Sequence, residues 1–323
     1  MLVRIIPTGQ AELLAMADAL AVLFPDHQFE CVAWRPPGDP FPGFTSNSLA
    51  SSRDADGETI APRPEDRLVA QLVAELVPDQ PGRRQAADMA LVVDDLELCN
   101  VEKPELVVRA MRAAVRRHLN KLRERDAFRK RGPNLAERAA QVLRERASLH
   151  LAVPMLEAWF FATEVTLIRA GVPEHQLPPK LMSGRDLEAF ATDDPAYRCA
   201  DGSECTRLHE HNRRRPTLRR RRVPWCIEHH DEHPKAYLSW LCRDPADRRC
   251  TGYRETGGGA EALRHLAWPA LLSTPGQCRY VRALVRDIAD CIGEPAPHVA
   301  PEDRDAALTS RFEEREQPLL RNM

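Results

Sequence analysis

The run Met89-Ala90-Leu91-Val92-Val93, followed at once by Asp94-Asp95, constrains this chain more than any other segment. An unbroken apolar run of strand length offers no polar face to water, so a strand over Met89 to Leu96 has to be covered on both sides. Sheets covered on both sides are assembled from strand-helix-strand crossovers and are mainly parallel. The flanking sequence supplies such units. Leu2 to Ile6 is a short apolar run closed by Pro7-Thr8-Gly9, after which Leu13, Leu14, Ala17, Leu20, Ala21 and Phe24 recur at helical spacing. Phe29 to Trp34 reads as a second strand, Asp66 to Val77 as a short helix, and Leu149 to Val153 as another strand. Pro104 to Arg125 and Asn134 to Arg146 are basic amphipathic helices, split by Gly132-Pro133. Pro154 to Ala170 reads as one helix with proline in its first turn and Gly171 past its end. The expected fold is α/β, a mainly parallel sheet flanked by helices.

Length allows one large domain, or a domain with a substantial insert, in 323 residues. Hydrophobic residues at 43% and charged residues at 29% exclude a wholly disordered chain. Residues 1–196 read as the α/β core, interrupted by a long Pro-, Gly- and Ser-rich loop over 35–64. Residues 197–233 break the pattern with Cys, His and Arg and form an insert. Helical periodicity returns from Pro234 to Cys242 and from Tyr280 to Ile292, so 234–293 is a C-terminal helical part of the core. Residues 294–323 are a polar tail with Pro295, Pro297, Pro301 and Pro318. No apolar run reaches the roughly 18 residues of a membrane span, and Leu13 to Phe24 is interrupted by Asp18. A cytoplasmic protein with no membrane partner is expected. Nine cysteines, unevenly placed, argue against a disulfide framework, and Cys31, Cys99 and Cys291 have the apolar surroundings of core thiols.

The net charge of -2 conceals segregation. Residues 103–147 hold fourteen Lys and Arg against five Asp and Glu, and residues 213–222 hold seven Arg and no acid. Two basic patches on an acidic body suit a polyanion on one surface and leave carboxylates elsewhere to hold a metal. The alternative for the first patch is a set of solvated helical faces.

Ligands of parallel α/β sheets gather beyond the carboxyl ends of the strands. There the first strand delivers Thr8-Gly9-Gln10-Ala11-Glu12 and the buried strand delivers Asp94-Asp95-Leu96-Glu97. Asp95 and Glu97, two apart, point the same way if the backbone stays extended and can share one hard cation. Glu12, one turn into the neighbouring helix, can join them. Mg²⁺ or Mn²⁺ is the expected cofactor, polarising a phosphodiester and generating hydroxide. The alternative is that Asp94 and Asp95 cap a helix beginning near Glu97.

These residues resemble the TOPRIM fold of the bacterial OLD-type (overcoming lysogenization defect) nucleases and their uncharacterised relatives. Those families pair Glu-Gly-x-x-Glu after the first strand with Asp-x-Asp after a later one. Here Glu12 matches the second Glu, and Asp95 and Glu97 match the acid pair, Glu97 replacing the final Asp. Thr8 stands in place of the first Glu, the usual general acid/base. Leu156-Glu157-Ala158-Trp159, His233-Pro234-Lys235, and Tyr253 with Gly257-Gly258-Gly259 resemble, in order, further segments of a TOPRIM-like bacterial family. The resemblance implies that Glu157 is an additional metal or water-positioning acid and that Lys235 contacts phosphate or stabilises the transition state. Capping or salt bridging is the structural alternative for Glu157, and a surface position at a helix start for Lys235.

In the insert, Cys199-x5-Cys205 and Cys226-x2-His229 form two close pairs of soft or borderline ligands, as in structural Zn²⁺ sites. His209, His211, His230 or His233 can replace His229. A segment with so little apolar content needs such a staple. The alternative is unrelated thiols in a solvated loop. Between the pairs lie Arg213, Arg214, Arg215, Arg219, Arg220, Arg221 and Arg222, a phosphate grip with little sequence preference or, alternatively, a docking face for an acidic protein.

The expected function is a divalent-metal-dependent nuclease, or the nuclease-like subunit of an antiphage defence system, acting on DNA or RNA. OLD-type nucleases work with an ABC-type ATPase. This sequence has no Gly-x-x-x-x-Gly-Lys-Ser/Thr loop, so an ATPase would be a separate subunit. The other expectation is an inactive TOPRIM-like adaptor that binds nucleic acid or an ATPase partner without cutting.

Overall fold

The computed structural model describes residues 1–34, 38–45, 49, 63–77, 85–128, 134–178, 185–194, 197, 230–243, 253–299 and 318–323. Strands β1 (Leu2–Pro7), β2 (Gln28–Cys31), β3 (Met89–Asp95) and β4 (Ala147–Ala152) form one sheet in the order β2-β1-β3-β4. All three pairings are parallel, with Val3 opposite Met89 and Asp95 opposite Ala152. Because strand side chains alternate, the apolar runs divide between two cores. Val3, Ile5, Leu91 and Val93 point to one face, which α1 (Gln10–Leu23) covers, and Ile6, Ala90, Val92 and Leu149 point to the other. Helices α2 (Pro64–Leu76), α3 (Pro104–Phe128) and α4 (Leu135–Arg146) cover that second face.

The first face is completed by α5 (Glu164–Ala170), α6 (Pro234–Leu241), α7 (Ala260–Arg264), α8 (Trp268–Leu272) and α9 (Arg279–Ile292). Helix α9 shows why it packs there. Val281, Leu284, Val285, Ile288 and Ala289 recur every three or four residues and are all buried. No helix among the described residues is long and apolar enough to cross a membrane.

One expectation needs correction, and the described parts of two other segments are packed. Residues 154–170 are two elements, a 3₁₀ helix over Leu156–Ala162 and then α5, and the break falls at Thr163. The Thr163 hydroxyl accepts the Thr166 N–H at 3.3 Å and starts a new helix, while the preceding segment is buried on every side and has no amphipathic face. The loop over 35–64 is, in its described part, a packed element: Phe41, Phe44, Thr45 and Leu49 are buried, and the Phe41 N–H donates to the Pro7 carbonyl. Within the expected polar tail over 294–323, the segment 318–323 is packed. Leu320 and Met323 are buried, the Arg321 N–H donates to Ala147 O at 2.7 Å, and the Asn322 side chain bonds both backbone groups of Leu149. It covers the outer edge of β4.

Of the 197–233 insert, the described part consists of Tyr197 and residues 230–233. Tyr197 packs its ring 4.8 Å from Tyr237, and His230–Glu232 is a single 3₁₀ turn. Cys199, Cys205, Cys226, His229 and the seven arginines lie outside the described residues.

Candidate functional site

Alternation along β3 sends its two terminal acids to opposite faces. Asp94 goes to the α2/α3 side. There it accepts hydrogen bonds from Thr8 Oγ1 at 2.5 Å and from Thr45 Oγ1 at 3.2 Å. Burial pushes its carboxyl up to about 6, against the lowering effect of those hydroxyls and of the Phe44 and Asp95 backbone. Thr8, in the position of the resembled general acid/base, is therefore a donor to a buried carboxylate.

Asp95 turns to the α1 side and accepts the Leu156 N–H at 2.8 Å, at the start of the Leu156–Ala162 helix. The capping alternative is realised across the sheet, not at a helix near Glu97. Nor does the backbone stay extended from Asp95 to Glu97. β3 ends at Asp95, and Glu97 has φ 64°, its N–H held by the Pro154 carbonyl at 2.7 Å. The cation-sharing geometry expected from an extended chain is thus replaced by a positive-φ kink at Glu97.

Glu97 nevertheless remains in the same electrostatic neighbourhood. Glu12 stands in the first turn of α1, and its carboxylate folds back toward Gly9, where an added Cβ would collide with it. Burial raises Glu12 to about 8, opposed by its own backbone N–H and reinforced by Glu157 and Glu255. Burial also holds Asp95 well above its ordinary range, with Glu12, Glu157 and Glu97 adding to it. Glu97 rises to about 7 through burial and the charge of Glu157, opposed by Lys235.

Lys235 is the counter-charge. His233 caps α6 by accepting the Ala236 N–H, Pro234 occupies the first turn, and Lys235 follows. Its ammonium lies 3.5 Å from Glu157 and bonds Glu255 directly. Burial alone would lower its pKa, but Glu157, Glu255 and Asp95 lift it well above the ordinary lysine value. His233, one of the alternative zinc ligands, is committed to the cap, and burial with Lys235 lowers its imidazole to about 4.

Glu255 belongs to the site although no pattern singles it out. It opens a π-helical turn over Glu255–Gly259, accepts the Gln10 N–H at 3.3 Å, and is drawn below its usual pKa by Lys235 despite burial. The nearby Tyr253 hydroxyl is buried, and its pKa is raised by burial and by Glu157, Glu255 and Glu12. Gly258 allows the turn to approach α5, since a Cβ there would strike the Ala170 carbonyl.

Glu12, Asp95, Glu97, Glu157 and Lys235 are therefore brought together at the carboxyl edge of the sheet, with Glu255 added. At neutral pH this pocket cannot hold all its carboxylates ionised beside one ammonium, so it retains protons or attracts further positive charge. Among the described residues, no group of three or more His, Cys, Asp or Glu is placed to hold a metal ion. No family model matches the chain, and no curated protein and no solved structure matches it either.

Proposed function

We propose that the chain is a TOPRIM-like, divalent-metal-dependent nuclease, or the nuclease-like subunit of a bacterial antiphage system, acting in the cytoplasm on nucleic-acid phosphodiesters. The observation that carries this reading is the meeting of Glu12, Asp95, Glu97 and Glu157 with Lys235 at one sheet edge. The four acids offer only carboxylate oxygens, the chemistry of a hard cation; they are not grouped closely enough to hold one as they stand, so Asp95, Glu97 and Glu12 would have to draw together to hold Mg²⁺ or Mn²⁺. Bound there, such an ion supplies Lewis-acid polarisation of the phosphodiester and a more acidic water. Glu12 would complete the cluster or position the water, while Lys235, steadied by Glu157 and Glu255, offers fixed positive charge to a phosphate oxygen.

Structural zinc on Cys199, Cys205, Cys226 and His229, with the arginines between them as a phosphate grip, completes the proposal, and an ABC-type ATPase would join as a separate subunit. Plasmid DNA and RNA incubated with the protein in Mg²⁺ or Mn²⁺ should be cleaved, and Asp95→Ala/Glu97→Ala should abolish the cleavage. Cleavage that survives the double substitution overturns the site. Elemental analysis should find zinc that Cys199→Ser loses.

The second reading is an adaptor that binds nucleic acid or an ATPase partner without cutting. It is favoured by Thr8, whose hydroxyl is committed to Asp94. Absence of cleavage under every condition would select it.

A further inference from the structure

A groove of about 340 Å³ lies between α2 and α3, outside the acid cluster, with Trp34, Arg67, His118 and Lys121 in its wall. Trp34 comes just after the carboxyl end of β2 and packs its ring edge-on to Phe41, whose N–H is bonded to Pro7 at the end of β1. The groove therefore opens from the loop that also delivers Thr45 to Asp94.

Among the described residues its positive charge is uncompensated. Asp66, the acid in the wall, is taken by Arg117, which donates to Asp66 Oδ1 from both Nε and Nη2, at 2.9 and 2.7 Å. The Gln71 amide is spent on Glu75. Among the described residues, no carboxylate forms an ion pair with Arg67 or Lys121. The Arg67 guanidinium sits 5.2 Å from the centroid of the Trp34 ring, which holds it in place without neutralising it. His118 Nε2 is buried and makes no hydrogen bond to the described residues. Burial, Lys121 and Arg125 keep that imidazole's pKa low, so it offers a neutral polar edge beside two cations. An aromatic ring, a pre-placed guanidinium, an exposed ammonium and an unused imidazole nitrogen together form a receptor for a phosphate with an organic group attached.

We propose that this groove binds a phosphate of a nucleic-acid strand through Arg67 and Lys121, with His118 as an accessory hydrogen-bonding group. Its size is that of a site for one nucleotide rather than for an extended strand. The neighbouring turns of α3 carry Arg123 and Arg125 on the surface, which suits a strand continuing past the groove. The choice of a strand as the source of the phosphate rests on the nuclease reading above. The site itself does not depend on the acid cluster.

The test is equilibrium binding of fluorescein-labelled ten-nucleotide DNA and RNA to the intact chain in EDTA, where metal-dependent cleavage cannot contribute. Arg67→Ala and Lys121→Ala should each weaken binding roughly 3- to 10-fold and flatten the salt dependence. Arg169→Ala, on the opposite face of the sheet, should leave binding unchanged. Lys121→Glu, at an exposed position that folding does not need, should weaken binding further at an unaltered melting temperature. Affinities within twofold of the parent for Arg67→Ala and Lys121→Glu overturn the proposal, as does failure of the intact chain to bind either oligonucleotide. Binding of adenosine monophosphate alone overturns the strand as ligand. Groove-dependent binding without metal-dependent cleavage would leave this site standing and remove the nuclease reading.

Discussion

Glu12 illustrates how one side chain couples the site to stability. In the unfolded chain its carboxyl ionises near the ordinary value of 4.5, whereas in the fold it keeps its proton up to about 8. Between those values the native state binds the extra proton, so stability falls as pH rises and levels off above about 8. Glu97, raised to about 7, acts in the same direction over a narrower window. The melting temperature should therefore decline from pH 5 to pH 8, and Glu12→Gln, which cannot ionise, should make the decline shallower. Thermal melts at half-unit pH intervals check this, and a constant offset between the two proteins at every pH would refute it. The same side chain shows what a sequence reading misses. Glu12 stood out by its place one turn after a strand, but its partner Glu255 lies more than two hundred residues away and follows no local pattern.

At the scale of elements, two close approaches decide how the site is assembled. The turn over Glu255–Gly259 packs on α5 only because Gly258 has no side chain. Gly258→Ala should cost about 1–3 kcal/mol in chemical denaturation, because the obstacle is a backbone carbonyl that cannot rotate away. Gly257→Ala, one residue earlier and facing open space, should change stability by less than about 1 kcal/mol. The second approach is α2 against β1. Arg4 is buried in the sheet and donates to Glu75 on α2 at 2.6 Å and to Glu30 on β2 at 3.2 Å. Arg4→Met removes the guanidinium that compensates a buried carboxylate and should destabilise by about 3–5 kcal/mol. Arg4→Met/Glu75→Met should recover much of that loss. A double variant no more stable than the single one would show that the pair is not the source of the cost.

Over the whole molecule, the edge of the sheet is closed by chain from its far end. Residues 318–323 lie along β4, and Arg321 joins Asp287 at 2.8 Å while His150 of β4 meets the same carboxylate at 3.0 Å. Deleting 318–323 removes the buried side chains of Leu320 and Met323 and should lower stability by about 3 kcal/mol or more. It also bares backbone groups of an edge strand, so the shortened protein should self-associate on size-exclusion chromatography. A truncated protein that stays monomeric with unchanged denaturation midpoint would contradict this account.

The parallel α/β architecture was legible because it is written in local periodicity. The Met89 run, the helical spacing after Gly9 and the return of that spacing at Tyr280 each report on burial one residue at a time. Glu12, Asp95 and Glu97 were placed near the sheet edge by the same logic, since parallel strands present their carboxyl ends together. What local pattern cannot carry is the angle of a turn or the identity of a distant partner. The positive-φ backbone at Glu97, the commitment of Thr8 to Asp94, the bond between Lys235 and Glu255 and the docking of residues 318–323 all follow from how separate elements come to rest on one another. Chain order determined which elements form, because short-range spacing selects helix or strand. Only packing in three dimensions decided which charges meet, because an electrostatic partner is set by proximity in space and leaves no period in the sequence.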